Sequence, residues 1–297
     1  MASNFGSHKL ALSIQNSSMT KKILLFALAA CLLVSFKQKQ LKWVAIGDSI
    51  TYLNDHSDET GNRVKKGYLT MVTEMLPNIK YVNKGFNGWT SGRIAENING
   101  LGIEKADIYS VFLGTNDWWA GRPIGSLEDY KNAKGNNTVY GSFRIIIDKL
   151  RSLNPEGKIV LITPMQRADF VYINDADNNA YGSYKAKNGQ TLAQFANAIV
   201  SIAEYESIGV VDLYNDKALK LDKLMKFKRL KDPSSGKYVD YPLTESIGIP
   251  FDPKADEYPY PPDAVALTYD GLHPSDKGNH LIAKLLVKKL KFFATKH

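Results

Sequence analysis

The chain has 297 residues, 44% of them hydrophobic and 23% charged. That is an ordinary globular balance, which excludes disorder as the main state and allows a sizeable core. The formal net charge is +8, but residues 1–40 hold five lysines and no acid, and taking those five from the 38 basic residues leaves 33 against 30 acidic ones.

The first forty residues read as a leader, a signal segment and a polar linker. Lys21 and Lys22 precede fourteen mostly apolar residues, Ile23 to Phe36. That run is short for a membrane span and suits the apolar region of an export signal, with Met19 as a candidate start. Leu28-Ala29-Ala30-Cys31 is similar to a bacterial lipobox, which makes Cys31, the only cysteine, a candidate lipid anchor. The alternative is a buried N-terminal helix with a core cysteine. Either way, an internal disulfide and a cysteine-built metal site are excluded. Export to the periplasm, the cell surface or the medium is the expectation.

From residue 41 onward strands and helices alternate. Lys42–Ile46 is a first apolar strand, ended by Gly47-Asp48-Ser49. A polar loop, Asn54–Lys66, leads to a helical pattern of Tyr68, Leu69, Val72, Met75 and Leu76, stopped by Pro77. Ile79–Val82 is a second strand, followed by a glycine-rich run from Gly85 to Gly92 and a helix near Arg93–Ile98. Ile108–Leu113 is a third strand, running into Gly114-Thr115-Asn116-Asp117. A helix is predicted over Asn137–Asn154, a strand over Lys158–Thr163, a helix over Thr191–Glu206 and a strand over Val210–Leu213. The polar stretch Gln166–Lys187 is too long for an ordinary connection and is a candidate binding loop. Tyr214–Thr268 opens with a basic helical piece, Lys217–Lys231, and continues through nine prolines and glycines; it reads as a cap over the end of the sheet. A helix from about Ser275 to Phe293 closes the chain. Its lysines fit a solvated face and helix C-terminus, and no nucleic-acid recognition motif accompanies them.

Continuous apolar strands alternating with helices predict a three-layer α/β/α sandwich around a parallel sheet of about five strands. In such a sheet the strand ends gather at one edge, where ligands bind. Ser49, Gly88, Asn116 and His273 all fall there. A serine hydroxyl needs a base to become a nucleophile, and a histidine suits that task. Of five histidines, only His273 has a carboxylate at short fixed spacing: Asp270, in a turn with Gly271 and Pro274. Asp270 is positioned to orient the imidazole. Backbone N–H groups of Ser49 and Gly88 and the Asn116 amide are candidate oxyanion donors. Asp48 reads as a turn-former beneath the serine. Taken singly, each of these residues is more often a cap, a turn glycine or a loop-stabilising amide than a catalytic group; their joint occurrence in order points to acyl transfer.

Four blocks carry a resemblance. Gly47-Asp48-Ser49, Asn83 with Gly85, Gly88 and Thr90, Gly114-Thr115-Asn116-Asp117, and Asp270 through His273-Pro274 resemble the motifs of the SGNH, or GDSL-type, lipase/esterase superfamily. The resemblance covers about residues 42–293, and Ile50 stands where the family name implies leucine. It implies a flavodoxin-like fold, a Ser49–His273–Asp270 mechanism, a Ser49/Gly88/Asn116 oxyanion hole and no metal or organic cofactor.

For substrate contacts, Trp89, Trp118 and Trp119 adjoin the oxyanion residues and are candidate walls, either stacking on a sugar or packing the protein. Arg122, Arg167 and Lys185 sit on candidate rim loops, to meet an acidic sugar or simply to be solvated. The polar Tyr214–Thr268 segment is unlike a lipase lid. The expectation is therefore a serine esterase removing acyl groups, acetyl in particular, from a small-molecule or glycan ester. The alternatives are a lysophospholipase or thioesterase, or a non-catalytic carbohydrate-binding protein.

Overall fold

A computed structural model describes residues 39–294. The leader, the signal segment and Cys31 lie outside the described residues. Among the described residues no helix is long and apolar enough to cross a membrane.

Five strands build the central sheet. They are β1 (Leu41–Gly47), β2 (Ile79–Gly85), β3 (Ile108–Phe112), β4 (Lys158–Ile162) and, after a hairpin of β5 (Phe170–Tyr172) and β6 (Asp175–Ala180), β7 (Gly209–Val211). All four pairings are parallel, in the order β2-β1-β3-β4-β7. The side-chain alternation of β1 shows why both faces are covered. Trp43 and Ala45 enter one buried cluster, and Val44 and Ile46 enter the other, as a period of two requires.

The first cluster is closed by α2 (Tyr68–Met75) and the C-terminal helix α8 (Asp276–Ala294), through Tyr68, Leu69, Val72, Ile282, Leu286 and Leu290. The second is closed by α3 (Ser91–Asn97), α6 (Val139–Leu153) and α7 (Leu192–Tyr205), through Ile94, Phe143, Ile146, Phe195 and Ile199. The result is the predicted three-layer α/β/α sandwich. The short helices α1 (Ser49–Tyr52), α4 (Thr115–Trp119) and α5 (Leu127–Lys131) complete the α-helices of the described residues.

Two segments differ from expectation. Gln166–Lys187 is not an open loop but carries the β5–β6 hairpin, which pairs Phe170 with Ala180 and Val171 with Asn179. The basic piece Lys217–Lys231 is not a helix. It holds one 3₁₀ turn, Leu221–Lys223, and then strand β8 (Lys228–Lys231), paired antiparallel with β9 (Tyr238–Tyr241). Lys228 and Leu230 are buried while Arg229 and Lys231 are half-exposed. This two-residue period overrides the helical propensity of a Lys- and Leu-rich stretch.

The Tyr214–Thr268 segment packs behind the β5–β6 hairpin. The Tyr258 and Tyr260 hydroxyls donate to the carbonyls of Val171 (2.8 Å) and Asp169 (2.7 Å). Lys228 Nζ lies 2.7 Å from Asp169 Oδ2.

Candidate active site

The site grows from the C-terminal end of β1. There Gly47 pairs with Gly85 of β2, and α1 passes directly over both. A Cβ on Gly47 would come 2.0 Å from Thr51 Oγ1, and one on Gly85 would come 2.2 Å from the Tyr52 N–H nitrogen. Only glycine at both positions lets the helix turn so sharply from the strand. Asp48 caps α1, accepting the Ile50 N–H at 3.0 Å. Asn83 holds the same turn from β2, donating to the Thr51 carbonyl at 2.9 Å. Ser49, the first residue of α1, is thereby presented at the sheet edge.

Opposite it stands the turn before α8. Asp270 Oδ1 accepts the backbone N–H groups of Leu272 (3.0 Å) and His273 (2.7 Å), while Oδ2 meets His273 Nδ1 at 2.7 Å. His273 Nε2 lies 2.8 Å from Ser49 Oγ. The imidazole is fixed between two rings, with Tyr269 stacked at 5.9 Å and Phe170 edge-on at 5.5 Å. Asp270 is wholly buried.

The three expected oxyanion donors, Ser49, Gly88 and Asn116, line the same cleft. Gly88 has φ +71°, the left-handed region that favours glycine, and a Cβ there would point into open space. Neither the Ser49 nor the Gly88 N–H is engaged by another described residue. Asn116, in the first turn of α4, spends one amide hydrogen on the Trp89 carbonyl at 3.1 Å, which orients the group and leaves its second hydrogen. Asp117 ties the two loops together. Its carboxylate accepts the Ser91 N–H at 2.8 Å and the Ser91 hydroxyl at 2.7 Å, beside Arg122 Nε at 3.2 Å. Burial pushes the Asp117 carboxyl up, against these hydrogen bonds and the arginine.

Ser49, Gly88, Asn116, His273 and Arg167 line one cleft of about 460 Å³, a size suited to a small-molecule ligand. Among the described residues no group of three or more His, Cys, Asp or Glu could hold a metal.

A model of the GDSL-like lipase/acylhydrolase family matches residues 45–281. The chain belongs to that family. A crystal structure of a possible lipase from Chitinophaga pinensis DSM 2588 is 67% identical, with a TM-score of 0.84, over 85% of this chain and 98% of that one. A Lactobacillus plantarum protein is 19% identical over 86% of this chain and 98% of that one, with a TM-score of 0.57, a likeness of fold alone. A catalytic mutant of an acetylxylan esterase from Geobacillus stearothermophilus is 20% identical over 85% and 94% of the two chains, with a TM-score of 0.48. No curated protein matches the chain significantly.

Within this GDSL-like domain the expected substrate contacts divide. Trp119 lines the cleft, braced by Tyr181 at 4.9 Å and by Lys187 Nζ at 4.3 Å from its ring. Trp118 does not: it is 0% exposed, and its Nε1–H donates to the Gln190 carbonyl at 3.1 Å. Successive residues of a helical turn point about 100° apart, so one indole faces the cleft and the other the core. Trp89 is also absent from the lining; it stacks on Phe86 at 4.5 Å under the Arg93 guanidinium. Arg122 is an internal strut bonded to the Asn136 carbonyl and Ser142, and Lys185 sits over the Tyr181 and Tyr184 rings. Arg167 is no solvated rim charge, being 2% exposed.

The cleft has further walls that sequence reasoning did not pick out: Phe170, Tyr172, Asn178 and Ala180 of the hairpin, with Leu272, Glu59 and Asn87. No residue of 214–268 lines it, so the hairpin, not that segment, roofs the cleft. The signal was present: Phe170-Val171-Tyr172, an aromatic and β-branched run, leads through Ile173-Asn174 into a polar Asp/Asn stretch.

Proposed function

We propose that the protein is a serine esterase that removes acyl groups, acetyl in particular, from carbohydrate esters. The observation that carries the reading is the unbroken line from Ser49 Oγ through His273 to Asp270, with spacings of 2.8 and 2.7 Å. His273 Nε2 accepts the Ser49 proton as Oγ attacks the ester carbonyl carbon. The Ser49 and Gly88 N–H groups and the Asn116 amide donate to the oxyanion. The sugar alcohol leaves with the proton from Nε2. Water then gives a proton to the same nitrogen, attacks the acyl-serine and releases the acid, and Ser49 regains its proton.

The carbohydrate part of the reading is supported by the roof. Four of the six residues of β6 are Asp or Asn, and all four, Asp175, Asp177, Asn178 and Asn179, are exposed. Such a surface suits a polar substrate better than a lipid tail. A second reading has one observation in its favour: Trp119, Phe170, Leu272 and Ala180 form an apolar wall that a longer acyl chain could use, and the Chitinophaga relative is described as a possible lipase.

The test has two arms. Ser49→Ala is expected to lower p-nitrophenyl acetate turnover by about 10⁴-fold or more; undiminished turnover overturns the serine mechanism. Turnover of acetyl esters is expected to exceed that of decanoyl esters, and the reverse order favours the lipid-directed alternative.

A further inference from the structure

The side chain least explained by this mechanism is Arg167. It lines the catalytic cleft with Ser49 and His273 yet is 2% exposed. Its Nε and Nη2 have no hydrogen-bond partner, and no carboxylate forms an ion pair with it among the described residues. Its surroundings are ring faces: its guanidinium carbon lies 5.4 Å from the Trp118 ring, 5.5 Å from Trp119 and 5.9 Å from Phe170.

The two nearby acids are committed elsewhere. Asp270 serves His273 and its own turn. Asp169 is held by Lys228, the Tyr184 hydroxyl and the Gly182 N–H. Burial lowers the Arg167 pKa to about 10, so the group stays cationic at neutral pH. Ring faces offset part of the lost hydration, but a buried charge without a partner anion is costly to keep. In the same protein Arg229 shows what that edge of a guanidinium takes. Its Nε and Nη2 grip the two oxygens of Asp240 at 2.6 and 2.8 Å.

We propose that the substrate carries a carboxylate beside its ester, as an acylated acidic sugar does, and that Arg167 is the residue that recognises it. Among the described residues no hydrogen bond anchors the Nε/Nη2 edge, so rotation about the side chain's own torsions turns that edge toward a carboxylate in the cleft. The aromatic cage keeps water from competing for the charge. The Lys187 ammonium on Trp119 extends the positive field outward.

This inference rests on the esterase reading, and its test separates the two. A mono-O-acetylated methyl glucuronoside and the methyl glucoside acetylated at the same hydroxyl differ only in the carboxylate. The wild-type protein is expected to favour the glucuronoside in kcat/KM by about tenfold or more, mainly through KM. Arg167→Met is expected to bring the ratio close to unity. The ratio is taken within each protein, so a general loss of activity cancels. A wild-type ratio near unity, or a preference that survives in Arg167→Met, overturns the proposal. So does a variant that slows both substrates equally, which would mark Arg167 as a structural support for Asp270. Calorimetric binding of both glycosides to Ser49→Ala repeats the comparison without turnover. Equal binding overturns the Arg167 inference alone, whereas undiminished hydrolysis by Ser49→Ala overturns the serine mechanism alone.

Discussion

Lys228 of the β8–β9 hairpin and Asp169, at the foot of the β5–β6 hairpin, form an ion pair at 2.7 Å in which the lysine side chain is 4% exposed. Burial opposes ionisation of Asp169, but the Lys228 charge, with hydrogen bonds from Lys228, Tyr184 and the Gly182 N–H, outweighs it and holds the carboxyl below its usual range. The pair fastens the cleft roof to the segment behind it. Lys228→Met removes one partner and leaves a mostly buried carboxylate. The expected loss is about 3 kcal/mol of stability, seen as a lower urea midpoint, with a raised KM for ester as the roof loosens. An unchanged midpoint would show that the pair is not a structural tie.

Asp270 performs two tasks with separate oxygens, and one substitution divides them. Asp270→Asn keeps an oxygen for the Leu272 and His273 N–H groups and places an NH₂ against His273 Nδ1. The imidazole proton must then sit on Nε2, which can no longer accept the Ser49 proton. A fall of about 10⁴-fold in kcat is expected, with little change in melting temperature. A variant that melts early would mean that Asp270 acts chiefly on the turn.

Asn116 is expected to act only as charge develops on the carbonyl oxygen. Asn116→Ala should lower kcat on p-nitrophenyl acetate by about 10²- to 10³-fold while KM changes little. A rise in KM at constant kcat would assign Asn116 to ground-state binding instead.

The parts of this arrangement that local chemistry dictates were readable from sequence. Apolar strands that stop at Gly47 and at Gly114, and a histidine three residues after an aspartate, announce themselves without tertiary context. The hairpin over the cleft was harder to read because β6 is mostly Asp and Asn, residues depleted in strands. It is held by docking: the Ala168 and Val171 N–H groups donate to the carbonyls of Gly271 and Asp270, and Tyr258 and Tyr260 brace it from behind. Lys217–Lys231 misled for the opposite reason, since its helical composition yields to the pairing of β8 with β9. The burial of Arg167 and Trp118 depends on that hairpin and on the turn of α4, so neither could be read from composition.

Asp48 sits under Ser49 at 2% exposure, and burial raises its carboxyl from 3.8 to about 6, against the Ile50 N–H bond and the nearby His273. The folded pKa lies above the unfolded one, so the native state holds this proton more tightly. The stabilising contribution is present below about pH 4 and is lost as pH rises through about 6; above that, the folded protein carries an ionised carboxylate in a dry site. Asp48→Asn keeps an oxygen for the Ile50 N–H and has no charge to bury. The variant should match wild type in stability near pH 4 and exceed it near pH 8 by on the order of 2 kcal/mol. Urea denaturation at the two pH values measures the difference. A variant destabilised equally at both would show that the α1 cap requires an ionised acceptor, and that the charge under Ser49 is part of what holds the turn.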